Sequence, residues 1–127
     1  MKTTKILLLI ILLTVCYSCE SPYPVLGKYD LKGVCEDHRR SYPDNHIVTI
    51  KQQGKKKLLI VIEGLVFKAY KENDSLFTIP SQSFKSYGDR AYFGGKGIIR
   101  NDSLFLHYRT AGPSFNLECD CKGKKIE

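Results

Sequence analysis

The chain has 127 residues, enough for one domain, with a formal net charge of +7 and no tryptophan. Its positive excess sits in separate pieces, His38-Arg39-Arg40, Lys55-Lys56-Lys57 and Lys122 with Lys124-Lys125, and no aromatic-interleaved basic stripe accompanies them. That distribution excludes nucleic acid as the expected partner and reads as solvated turns; the sharper reading is contact with anionic glycans, lipid heads or an acidic partner.

Met1-Lys2-Thr3-Thr4-Lys5 is a short basic start, and Ile6 to Val15 is apolar apart from Thr14. This run is shorter than the roughly 20 residues of a membrane span and has the length and flanks of a secretory signal peptide. Ser18 directly before Cys19 resembles the cleavage site of a bacterial lipoprotein, which implies a lipid on the Cys19 sulfur. The pattern departs from the usual one in carrying Cys16 where Leu is expected and Tyr17 where a small residue is expected. The alternative is ordinary cleavage after Ser18. Residues 1–18 are thus expected to leave as a signal, which lowers the formal charge from +7 to +5 as Lys2 and Lys5 go. Of five cysteines, Cys16 goes with the signal and Cys19 takes the lipid. Cys35, Cys119 and Cys121 remain in an oxidising compartment, where one disulfide and one free thiol is the simplest arithmetic.

Residues 19–24 read as a tether and residues 25–127 as one barrel domain. Val25–Cys35 is the first predicted strand, with Val25, Gly27, Tyr29, Leu31, Gly33 and Cys35 on one face. Glu36–Asn45 reads as a charged loop with Pro43-Asp44 as a turn. His46–Gln52 is the second strand. Leu58–Glu63, the third, is nearly all apolar, which predicts cover on both faces or a place where the barrel is most tightly packed. Val66–Lys71 and Ser75–Ile79 follow, and Pro80, lacking an N–H, is expected to end the latter or to lie at an edge. Ser81–Arg90 reads as a polar connection turning at Gly88-Asp89. Tyr92–Arg100 carries Gly94, Gly95 and Gly97, which predict a bulge or a close backbone approach. Ser103–Arg109 is the seventh strand, broken by Ala111-Gly112-Pro113, and Leu117–Ile126 the last. The five residues Asn73-Asp74-Ser75-Leu76-Phe77 recur as Asn101-Asp102-Ser103-Leu104-Phe105, each reading as a turn that opens a strand.

Eight strands joined mostly by short turns predict an all-β fold, a small antiparallel up-and-down barrel. Closure removes the exposed edges. At that strand number the interior holds side chains or one small ligand. The bulky inward set Tyr29, Leu31, Leu104, Leu106, Tyr108 and Leu117 favours a mostly filled interior.

Several segments resemble a group of small exported Bacteroidetes proteins, often lipoproteins, with a lipocalin-like domain. They are Gly27-Lys28-Tyr29 followed by Cys35, Ile47-Val48-Thr49-Ile50, Ile79-Pro80-Ser81-Gln82, Gly95-Lys96-Gly97-Ile98-Ile99 with the Asn-Asp turn after it, Leu104 to Tyr108, and Cys119. The resemblance implies a lipocalin-like β-barrel and an envelope location, and no established ligand or catalytic residue. Cys121 and the basic loop around His38 lie outside that pattern.

In an up-and-down barrel the end of the first strand lies beside the start of the last. Cys119 and Cys121 both alternate with Leu117, so side-chain direction does not choose between them. Strand order pairs Cys35 with Cys119, and the resemblance agrees. Cys35, His38 and His46 with Glu36 and Asp37 lack regular metal-ligand spacing; loop polarity and a disulfide account for them. His107, opposite Leu106, reads as a surface histidine. No Gly-x-Ser-x-Gly or His-Glu-x-x-His motif occurs, and Gly94-Gly95-Lys96-Gly97 precedes no helix. The expectation is a monomeric, lipid-anchored envelope protein of the outer membrane. It would act as a non-enzymatic binding module, without cofactor or metal, for a small apolar ligand or an envelope protein. The rivals are an inhibitor of a host or rival enzyme and a purely structural lipoprotein.

Overall fold

A computed structural model describes residues 23–127. The signal segment, Cys16 and Cys19 lie outside the described residues. Eight antiparallel strands follow one another: β1 (Gly27–Glu36), β2 (Ser41–Gln52), β3 (Lys57–Ile62), β4 (Leu65–Lys71), β5 (Leu76–Ser86), β6 (Asp89–Arg100), β7 (Ser103–Gly112) and β8 (Phe115–Lys124). Each pairs with the next and β8 returns to β1, so the sheet closes into an up-and-down barrel.

Period-two alternation places the core. Tyr29, Leu31, Val48, Ile50, Leu58, Ile60, Phe77 and Leu104 are almost fully buried, each contributing about 2 kcal/mol of hydrophobic stabilisation. Between them Asp30, Lys32, Lys51, Lys68, Lys96 and His107 point outward and are exposed. This polarity is the reverse of a membrane-spanning barrel, whose outward face is apolar. In β3 the alternation persists: Leu58, Ile60 and Ile62 are buried while Leu59 and Val61 are only half-buried, so the strand is not covered equally on both faces.

Three hairpin turns place two successive residues at positive φ: Glu63-Gly64 (51° and 79°), Tyr87-Gly88 (51° and 85°) and Asn101-Asp102 (49° and 63°). This is the primed geometry whose twist matches the flanking strands. The first Asn-Asp copy behaves differently. There the Asn73 side-chain oxygen accepts from the backbone N–H groups of Ser75 and Leu76, both at 2.9 Å, closing a wider loop.

Several expected boundaries are corrected. The loop read as Glu36–Asn45 shrinks to Asp37–Arg40, because β1 and β2 stay paired as far as Glu36 and Ser41. The Asp37 carboxylate ties that loop by accepting from the N–H groups of Arg39 and Arg40, which hold it below the usual carboxylate range. Pro43-Asp44 is therefore strand, not turn. β5 runs through Pro80 to Ser86, with a register shift between Ile79 and Gln82 that accommodates the missing N–H. The next turn is Tyr87-Gly88, and the polar connection does not exist. β7 likewise passes Ala111 to reach Gly112. The β6 glycines mark close approach: at Gly97 a Cβ would collide with the fully buried Phe77 ring.

One end of the barrel is plugged. Tyr23 and Val25 are buried there, the Tyr23 hydroxyl donates to Asn73 O at 2.7 Å, and the Tyr29 hydroxyl donates to Val25 O at 2.9 Å. Burial pushes both phenols up to about 12. Tyr23 and Pro24, read as tether, thus belong to the barrel's closed end. The chain finishes at the same end, where Lys28 N–H donates to Glu127 O at 3.0 Å.

Candidate functional site

The opposite end opens because one seam is short. The β4–β5 ladder pairs only Tyr70 with Thr78 and Lys71 with Phe77. Beyond that, the Gln82 amide takes the place of a neighbouring backbone, donating to Lys68 O and accepting from Lys68 N–H, each at 2.8 Å. The splayed strands leave a cleft of about 240 Å³ walled by Ile62, Leu65, Phe67, Phe84, Phe93, Tyr108, Thr110 and Leu117, with Asp44, His46 and Glu63 at its polar side.

Its aromatic walls are ordered against one another. Phe67 stacks on Phe93 with centroids 4.2 Å apart, Phe84 meets Phe67 edge-on at 5.6 Å, and Phe93 leans on Tyr108 at 5.0 Å. Such pairs add packing specificity beyond their buried area.

The polar side centres on Asp44, the one buried charged residue among the described residues. Because Asp44 and His46 lie on the inward face of β2, both carry their side chains toward the interior. The Asp44 carboxylate accepts from the Tyr108 hydroxyl and from the Cys121 thiol, whose sulfur is 3.0 Å away, and pairs with His46 Nε2. His46 Nε2 is also 3.2 Å from the Tyr108 oxygen. His46 Nδ1 lies 2.8 Å from Glu63 Oε1 and is buried without a hydrogen-bond partner. A buried carboxylate needs such donors to stay charged. Burial, reinforced by Asp44, raises the Tyr108 phenol above its ordinary range and lifts the Cys121 thiol to about 12. Both groups are therefore neutral donors rather than nucleophiles.

The disulfide joins Cys35 at the end of β1 to Cys119 near the start of β8, and its Cys35 sulfur lines the cleft. Cys121, the free thiol among the described residues, lies two positions on, inward and buried. Neither half-cystine titrates into a ligand while the bond stands. Of the residues weighed for metal, Cys35 is in the disulfide, His38 is exposed on the loop and His46 is turned into the cleft. Cys35 and His46 line the same cleft, whereas Glu36 ends β1 and Asp37 and His38 lie on the loop after it. His107 is exposed on the outer wall and pairs with Asp120 at 2.7 Å. Sequence reading put Asp44 in a turn and gave Tyr108 a packing role only. The available signal was the alternation Asp44, His46, Val48, Ile50, which continues the inward face of β2 past its apolar part.

Four larger depressions lie elsewhere among the described residues: about 360 and 600 Å³ on the outer wall around Lys96, His107 and the glycine-rich part of β6, about 420 Å³ between the Asp37–Arg40 loop and the turn before β8, and about 270 Å³ beside Lys57 and Lys68. None gathers a buried charged side chain.

No family model matches the chain, and no curated protein matches it. Among solved structures it is similar to a Bacteroides fragilis protein provisionally named an outer membrane protein, with a TM-score of 0.57 and 16% identity over 81% of this chain and 52% of that one. The chain spans about half the length of that protein, and at this identity the likeness is one of fold.

Proposed function

We propose that this chain is an envelope lipoprotein, anchored through Cys19, whose lipocalin-like barrel binds a small, largely apolar ligand in its open end. The observation that carries the reading is the cleft itself: an aromatic-walled opening with a few polar groups converging on one side, the usual build of a small-molecule site. The volume is below that of drug-sized pockets, so the ligand is a compact one. The signal-like N-terminus and the provisional name of the Bacteroides fragilis neighbour support an envelope location. The charged outer wall supports attachment by an anchor rather than by spanning strands.

An Asp–His pair is also what a general base requires. Here the candidate nucleophiles, Tyr108 and Cys121, lie on the Asp44 side of the pair and are held protonated, while Glu63 occupies the Nδ1 side. That arrangement favours binding over turnover. Two measurements test the reading. Labelled palmitate should enter the chain and not its Cys19→Ala variant; equal labelling overturns the anchor. Titration with benzyl alcohol, followed by NMR, should shift Phe67, Phe93, Thr110 and His46. Shifts confined to Phe105 and Tyr92 on the outer wall, or none, overturn the site.

A further inference from the structure

We propose that the ligand of this cleft is a small organic cation, a protonated amine carried on an aromatic or aliphatic body; the inference rests on the binding reading above. Among the described residues no lysine or arginine lines the cleft, although the sequence carries a formal excess of +7. Its ionisable wall consists of Asp44, Glu63, His46 and Tyr108. A carboxylate ligand would meet two carboxylates there, and a cation meets none of its own sign apart from a protonated His46.

The aromatic walls suit the same class. The Phe67–Phe93 stack, tilted by 18°, and the Phe84 ring set at 84° to Phe67 line one small space. Ring faces attract ammonium groups, most strongly where water is excluded.

The hydrogen-bond accounting then selects a donor. Asp44 already receives the Tyr108 hydroxyl and the Cys121 thiol and pairs with His46 Nε2, so it acts on a ligand mainly through its charge. An acceptor remains at Glu63, whose side chain is 68% exposed and whose Oε1 lies 2.8 Å from His46 Nδ1. An ammonium donates to that carboxylate directly. Glu63 holds this place from a left-handed conformation, φ 51°, in a turn position where Asn, Asp or Gly is the unstrained choice. The longer Glu side chain is what reaches the cleft from there.

The test is a comparison of three near-isosteric probes, benzylamine, benzyl alcohol and benzoate, titrated into the full chain at neutral pH with affinity read by calorimetry and location by NMR. Benzylamine should bind at least about five-fold more tightly than benzyl alcohol, the factor expected of one unit charge about 4 Å away in a wet site, and benzoate most weakly. Glu63→Gln should lower the ratio of benzylamine to benzyl alcohol affinity by about the same factor. Benzyl alcohol or benzoate binding in the cleft as tightly as benzylamine overturns the cation inference and leaves the binding site standing. If none of the three shifts Phe67, Phe93 or His46, both readings fall.

Discussion

Replacing both half-cystines, Cys35→Ala with Cys119→Ala, isolates what the clasp between the first and last strands contributes. The bond spans 84 residues of sequence. For a loop of that length the chain-entropy model gives about 4–5 kcal/mol, through the freedom the reduced denatured chain recovers. The folded barrel keeps its β1–β8 ladder from Lys32–Lys122 to Glu36–Glu118, so the native state should persist and the loss should appear almost wholly as a shifted equilibrium. Against the roughly 5–15 kcal/mol that hold an ordinary domain folded, this is a third or more of the total. At about 4–8 °C per kcal/mol for a domain near 100 residues, the melting temperature should fall by about 20 °C. Urea unfolding of the double variant and the parent, followed by far-UV circular dichroism, gives the difference directly, with Cys121 unchanged in both. A loss below about 1 kcal/mol would refute the reasoning, since it would mean that the 84-residue loop is already held closed in the denatured chain.

Three further outcomes are expected. Asp102→Val should lower the melting temperature more than Lys56→Ala, because a β-branched residue at φ 63° costs about 1–2 kcal/mol whereas an exposed lysine contributes about 0.5 kcal/mol or less; calorimetric scans that reverse this order would displace the turn. Iodoacetamide at pH 8 should leave Cys121 unmodified until the chain unfolds, since the buried thiol is raised from 9.0 to about 12. By linkage, a raised pKa means the folded state holds that proton more tightly, so the contribution is complete below pH 9 and is lost as pH rises through about 12. Tyr23 and Tyr29, raised from 10.0 to about 12, act in the same direction. A melting temperature flat from pH 8 to 11.5 would contradict this.

The barrel was legible because its inward residues keep strand period in most segments and because Asn101-Asp102 tolerates the left-handed turn its hairpin requires. Local chemistry misled where pairing was long. Pro43-Asp44 has turn composition, yet Pro43 stands opposite Val34 in an unbroken ladder, and the ladder prevails. The repeated Asn-Asp pair shows the same dependence. Arg100 pairs with Ser103, which leaves two residues and a primed turn, whereas Lys71 pairs with Phe77, which leaves room for an Asx turn at Asn73. The site was hidden for a related reason. Asp44, Tyr108 and Cys121 come from three strands, and only barrel register brings their side chains to one point. Spacing along the chain carries no trace of that meeting.

The plugged end has a consequence for how the molecule is presented. Tyr23 enters the barrel there, and the same end carries exposed charge of both signs, Lys55, Lys56, Arg100, Lys124 and Lys125 beside Glu72, Asp74, Asp102 and Glu127. Any leash running back from Tyr23 departs from this end. Were the anchor proposed above in place, the open end would point away from the bilayer, and its traffic would be with the aqueous compartment.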